Sequence, residues 1–154
     1  ASPQMGDIMR CEFRHDLEDY LAVSSAKRKT LNEIIRYYES NPERMMKFGD
    51  TCLRKALTEA SGTLDDPPYK KALAERERLR GQMLECLHGF DACVMTGPTE
   101  IMHFVGLPSV ALKLCMAEDN SPRGIILYGA DELRLFAAAL TIEKYCLPIP
   151  CPRL

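Results

Sequence analysis

The sequence predicts an α/β chain rich in helix, with amphipathic helices packed on a small mixed β-sheet of about three strands. Between Asp91 and Gly129, three short apolar runs at 92–95, 109–116 and 125–128 are each closed by Gly or Pro. That is the pattern of short buried strands with punctuation at their ends. Long stretches of helical periodicity precede the runs, and one nearly all-apolar stretch of helix length follows them. A few strands must therefore share a core with several helices. With 154 residues the chain is expected to be a single domain over 1–154, helical over 7–87, strand-rich over 91–129, with a closing helix over 132–146.

The helices follow in order. Asp7 is placed to cap a first helix whose apolar face reads Phe13, Leu17, Tyr20 and Leu21. Ser24, Ser25 and the basic triplet Lys27, Arg28 and Lys29 make the next turn. Thr30 and Glu33 then form a capping box ahead of Leu31, Ile34, Ile35 and Tyr38, spaced i, i+3, i+4 and i+7. Asn41 and Pro42 open a short helical turn that Gly49 stops, Asp50 caps the next helix, and Gly62 ends it. Asp66 and Pro67 begin the longest predicted helix, to about Leu87, with Tyr69, Ala72, Leu73, Leu79, Met83 and Cys86 inward. Its outer face alternates Lys, Glu and Arg, the pattern of a solvated surface. The last helix, from Asp131 to about Tyr145, is apolar almost all round, which predicts burial on more than one side. Residues 147–154 read as a Pro-punctuated tail.

Composition excludes several classes of function. A net charge of −2 lacks the basic excess of a nucleic-acid-binding surface, and no apolar run reaches the length of a membrane span. The first residues show no signal-peptide pattern. The chain opens without an initiator methionine, which points to a processed, tagged or truncated protein. Seven cysteines, with no Cys-x-x-Cys and no Cys/His ligand spacing, predict no metal site and no cofactor. They are expected to act as small buried hydrophobes in a reducing, cytoplasmic setting.

An ordered set of segments resembles one family. Residues 90–96 (Phe-Asp-Ala-Cys-Val-Met-Thr) are followed by 106–110 (Gly-Leu-Pro-Ser-Val), 122–125 (Pro-Arg-Gly-Ile), Gly129 and a helix opening at Glu132. This order is similar to the C-terminal part of amidase-signature hydrolases. Upstream, Glu12 with Phe13, Tyr20 with Leu21, Thr30 with Leu31, Ile34 with Ile35, and residues 47–49 fit the same order, so the resemblance spans nearly the whole chain. Three features depart from the family pattern: Lys113 and Cys115 replace Pro and Gly, Gly97 interrupts a Thr-Pro-Thr segment, and the link from Gly129 to Glu132 is short.

The resemblance implies that the Ser-cisSer-Lys region of these amide hydrolases is missing here, so no catalytic residue is assigned. It carries over two loops near the family's active-site face as a candidate substrate pocket: Thr96, Gly97, Pro98 and Thr99, then Gly106, Leu107 and Pro108. Read directly, the same Gly and Pro residues shape turns between strands. Ser24 and Ser25 lack the flanking glycines that would bring backbone N–H groups onto an oxyanion, and they read as a turn. Cys86 and His88 are close in sequence, with His15 and His103 elsewhere, but a thiol–imidazole pair is defined by spatial geometry. Asp65, Asp66, Glu118 and Asp119 suit turns and caps.

The expected function is that of the C-terminal part of an amide hydrolase, inactive alone. The alternative is a non-catalytic, helix-rich binding or assembly module on the same scaffold. The expected partners are the missing amidase N-terminal region or a second copy of this chain, because a three-stranded fragment leaves strand edges and apolar helix surface uncovered.

Overall fold

The computed structural model describes residues 3–97, 99–119 and 121–147. The contacts divide the chain into two compact units, Ala1–Glu75 and Arg76–Leu154.

The first unit holds α1 (Pro3–Val23), α2 (Leu31–Glu39), α3 (Pro42–Met45), α4 (Thr51–Glu59) and the start of α5 (Pro67–Cys86). Helix α1 begins earlier than the Asp7 cap predicts. Asp7 lies inside it and accepts a 2.6 Å hydrogen bond from Arg10. Its buried positions are Ile8, Cys11 and Leu21, while Phe13 and Tyr20, expected to face inward, are exposed. Helix α2 starts as its sequence dictates: Thr30 Oγ1 accepts from the Glu33 N–H, and the Glu33 carboxylate accepts from the Thr30 N–H, both at 3.2 Å. Lys29 of the basic triplet folds back, its Nζ donating to Leu21 O at 2.8 Å and Ser24 O at 2.6 Å. It thereby occupies the open carbonyls at the end of α1.

Asp50 stands at the N-cap of α4 but makes no cap hydrogen bond, and its carboxylate lies 2.7 Å from Arg54 Nε instead. At the other end of α4, Arg14 donates to Leu57 O at 2.9 Å and to Ala60 O. The core here is Leu31, Ile35 and Ala56, with Leu17, Leu53 and Leu57 against it. Asp66 accepts from the Ser61 hydroxyl (2.8 Å), from the Ser61 N–H and from the Cys11 thiol (3.6 Å). The Ser61 hydrogen bonds hold its carboxyl below the usual carboxylate range. Burial, then the nearby Asp66 charge, pushes the Cys11 thiol up to about 11. Cys11 is the one buried cysteine among those described: Cys52 and Cys86 are exposed and Cys93, Cys115 and Cys146 half-buried, all unpaired. The expectation of mostly buried cysteines therefore fails: Cys52 and Cys86 lie on exposed sides of α4 and α5, and the three others are only half-buried.

The second unit holds the rest of α5, then β1 (Cys93–Met95), α6 (Glu100–Phe104), β2 (Ser109–Met116), β3 (Pro122–Tyr128) and α7 (Glu132–Glu143). The strands lie in the order β1-β3-β2 and pair antiparallel throughout. The sheet is thus antiparallel where a mixed one was expected. A short connection makes β2 and β3 a hairpin, which requires opposite strand directions, and β1 pairs antiparallel on the other edge of β3. Register runs from Ser109 opposite Tyr128 to Met116 opposite Pro122, with an irregularity between Lys113 and Cys115. Gly124 is needed where it stands, since a Cβ there would come within 2.8 Å of Leu112 O across the ladder.

Leu127 and Tyr128 are fully buried although they are neighbours, so both faces of β3 are covered at this end. Tyr128 faces α6, where His103 meets its ring edge-on at 6.2 Å. Leu127 and Gly129 face α7, where a Cβ on Gly129 would lie 3.2 Å from Leu135 Cβ. Helix α7 buries only Leu135 and Ala139. Its opposite side is open, with Leu133 81% and Leu140 62% exposed, so the predicted burial on more than one side is not met among the described residues. Among the described residues, no helix is long and apolar enough to cross a membrane. The predicted tail beyond Leu147 lies outside the described residues.

Core geometry gives a direct stability test. Leu31 is fully buried and Tyr20 is 68% exposed. Leu31→Ala is expected to cost about 2–5 kcal/mol through transfer and cavity terms, whereas Tyr20→Ala should stay within about 0.5 kcal/mol. Urea denaturation midpoints distinguish the two, and equal shifts would contradict this packing.

Candidate functional site

The two loops singled out from the sequence flank β3 on its two edges, at positions two residues apart along that strand. Met95, at the exit of β1, is opposite Ile126, whereas Ser109, at the entry of β2, is opposite Tyr128. The short helix α6 runs between the loops. Thr96 is exposed, Gly97 and Thr99 are half-buried, and Pro98 lies outside the described residues. The Thr99 N–H donates to the Tyr128 hydroxyl at 3.4 Å. Thr99 Oγ1 is buried with no hydrogen-bond partner among the described residues. Leu107 is buried in the core, Pro108 is half-buried, and Pro108 O accepts from the Gly129 N–H at 3.3 Å. Leu107 and Pro108 therefore secure the entry to β2, as a structural reading of the turn requires.

Gly106 differs from the rest. It lines an open cleft of about 290 Å³ together with Arg76, Glu77 and Arg80 from α5 and His103, Phe104 and Val105 from α6 and its end. Arg80 Nη1 donates to Val105 O at 2.7 Å and to Gly106 O at 3.0 Å, satisfying carbonyls where α6 stops. Arg76 Nε lies 3.7 Å from Glu77. The cleft thus brings together two guanidinium groups, an imidazole and a carboxylate, with no serine, threonine or cysteine among its lining residues. Such a set can hold a polar or anionic group by hydrogen bonds. It offers no hydroxyl or thiol nucleophile among the described lining residues.

Sequence reasoning missed Arg76 and Arg80, and it weighed His103 only as a partner for a thiol. The two arginines are four apart on one helix face, but that face was taken as wholly solvated, and only the fold shows Arg80 turning onto the Gly106 turn. Other sequence candidates stay apart. Ser24 Oγ donates to Leu21 O at 2.9 Å inside a turn, and Cys86 and His88 are both exposed at the end of α5. No group of three or more His, Cys, Asp or Glu residues that could hold a metal ion occurs among the described residues.

By sequence, no family model and no curated protein matches this chain. Solved structures do match. A peptide amidase from Stenotrophomonas maltophilia superposes with a TM-score of 0.77 at 19% identity, over 96% of this chain and 34% of that one. The chain has the fold of part of an amidase. An amidase family protein from Bacillus anthracis gives a TM-score of 0.76 at 23% identity, covering 92% of this chain and 30% of the other. A peptide amidase in complex with the competitive inhibitor chymostatin gives 0.77 at 22% identity, over 96% and 35%. The chain spans about a third of the length of these structures, and the helix-rich α/β architecture with its small sheet is shared with them.

Gly106 has φ +67, and a Cβ there would meet only Arg80 Nη1 at 3.7 Å. The site is open, so the cost of a side chain lies in the backbone conformation and not in crowding. Gly106→Val is expected to destabilise the second unit by about 1–3 kcal/mol. An unchanged denaturation midpoint would show that the turn does not need its left-handed residue.

Proposed function

We propose that this chain is the C-terminal part of an amide hydrolase of the amidase-signature type, acting on carbon–nitrogen bonds only together with a catalytic Ser-cisSer-Lys region that the chain itself does not carry. The observation that carries this reading is the match of nearly the whole chain to about a third of several amidase structures. The ordered segments from Phe90 to Glu132 support the assignment to the C-terminal end. Within this reading the Thr96–Thr99 and Gly106–Pro108 loops contribute shape to a substrate pocket, and of the two it is Gly106, beside Arg80, that borders a cleft. The bond-breaking groups belong to the other part of the scaffold.

Two partners fit the uncovered surface of the chain: the amidase N-terminal region, and in its absence a second copy of the chain. The specific support is the outer face of α7, whose Leu133, Phe136 and Leu140 form an exposed apolar stripe. A cytoplasmic setting accords with the unpaired cysteines.

The isolated chain is expected to release no ammonia from a panel of carboxamides and peptide amides above the rate of a denatured control. Ammonia release that Ser24→Ala or Ser25→Ala abolishes would overturn the proposal, since those hydroxyls would then be nucleophiles and not turn residues.

A further inference from the structure

The first unit contains an apolar groove beside its core. It lies between α1 and α4, is half open, and has a volume of about 430 Å³, within the range of small-molecule pockets, about 300–1,000 Å³. Buried Ala56 forms part of its lining, with Leu53 beside it on α4. Met9 and Phe13, one turn apart on α1, line the other side and are both exposed. Met supplies an adaptable surface and Phe a flat one, a combination suited to an apolar guest.

The same helix face is deliberately thin at Gly6. A Cβ there would lie 2.9 Å from Arg10 Nη1, so the guanidinium occupies the space that a side chain would take. Arg10 is held there by Asp7 Oδ1 at 2.6 Å and Glu59 Oε2 at 3.0 Å, and its charge is answered. Lys55 is the second cation on the groove, and it has no ion-pair partner among the described residues. Among the described residues no carboxylate lines the groove. A cationic guest would meet the uncompensated charge of Lys55, and a neutral one would leave Lys55 unused.

We propose that this groove binds a small amphiphilic carboxylate, with its apolar body between Met9, Phe13 and Leu53 and its carboxylate on Lys55. The apolar walls supply most of the affinity by burying hydrocarbon. Lys55 supplies selectivity for the acid over the matching alcohol, on the scale of an exposed ion pair. The site belongs to the first unit and does not depend on the amide-hydrolase reading.

Cys52 makes the site testable, because it lines the groove and is exposed, while Cys86 is exposed in the other unit. The full chain is alkylated with iodoacetamide at graded concentrations of decanoate, below its micelle concentration, and each cysteine is followed by peptide mass spectrometry. Decanoate should slow Cys52 saturably and leave Cys86 unchanged. Phe13→Ser should weaken protection by both decanoate and decanol. Lys55→Met should weaken decanoate about five-fold while leaving decanol as before. The proposal is overturned if Cys52 and Cys86 slow together, if no saturable protection of Cys52 occurs, or if Lys55→Met affects the acid and the alcohol alike.

Discussion

Leu127 and Tyr128 lie side by side in the middle strand of the sheet, both fully buried, and the second unit depends on that double burial. Adjacent strand residues point to opposite faces, so one strand anchors α6 through Tyr128 and α7 through Leu127. β3 is also paired along both edges, with β1 and with β2. A one-residue slip would exchange its two faces, placing Tyr128 against α7 and Leu127 against His103. Pairing and packing thus fix the same register. The turn at Gly106 follows from it: the chain must leave α6 and enter β2 beside Tyr128, and a left-handed residue whose carbonyl Arg80 satisfies makes that reversal.

The layer that α7 provides is incomplete as a surface. Its inward side, Leu135 and Ala139, packs on the sheet, while Leu133, Phe136 and Leu140 face outward. A surface helix facing water on that side would carry polar residues there, so the composition of α7 is that of a helix between two layers. The chain matches nearly all of its own length to about a third of much longer amidase structures. Both facts support the proposal that another part of such a scaffold packs on this helix.

Much of this architecture was legible in the sequence where a local rule acts alone. The capping box at Thr30 and Glu33, the Pro starts of α3 and α5, and the strands bounded by Gly and Pro depend on nearest neighbours. The errors came where long-range contacts decide. Phe13 and Tyr20 carry apolar character, yet the packing of α1 uses the Ile8–Cys11–Leu21 side. Asp7 and Asp50 are good capping residues, but each has an arginine within reach on its own helix, and ion pairing occupies them. The candidate loops were recognisable as turns. What the sequence could not reveal was that an arginine from a helix read as solvated would close onto Gly106, because the pairing spans 26 positions of chain.

The outer face of α7, with Leu133, Phe136 and Leu140 exposed, has the composition of a surface that is buried by association. Multi-angle light scattering across a dilution series of the isolated chain tests it most directly, run beside Leu133→Glu/Leu140→Glu, which leaves the buried side of α7 intact. The account predicts a concentration-dependent mass that rises from the 17.4 kDa monomer toward twice that value, and a monomer at all concentrations for the double variant. A monomeric parent chain at every concentration would contradict it.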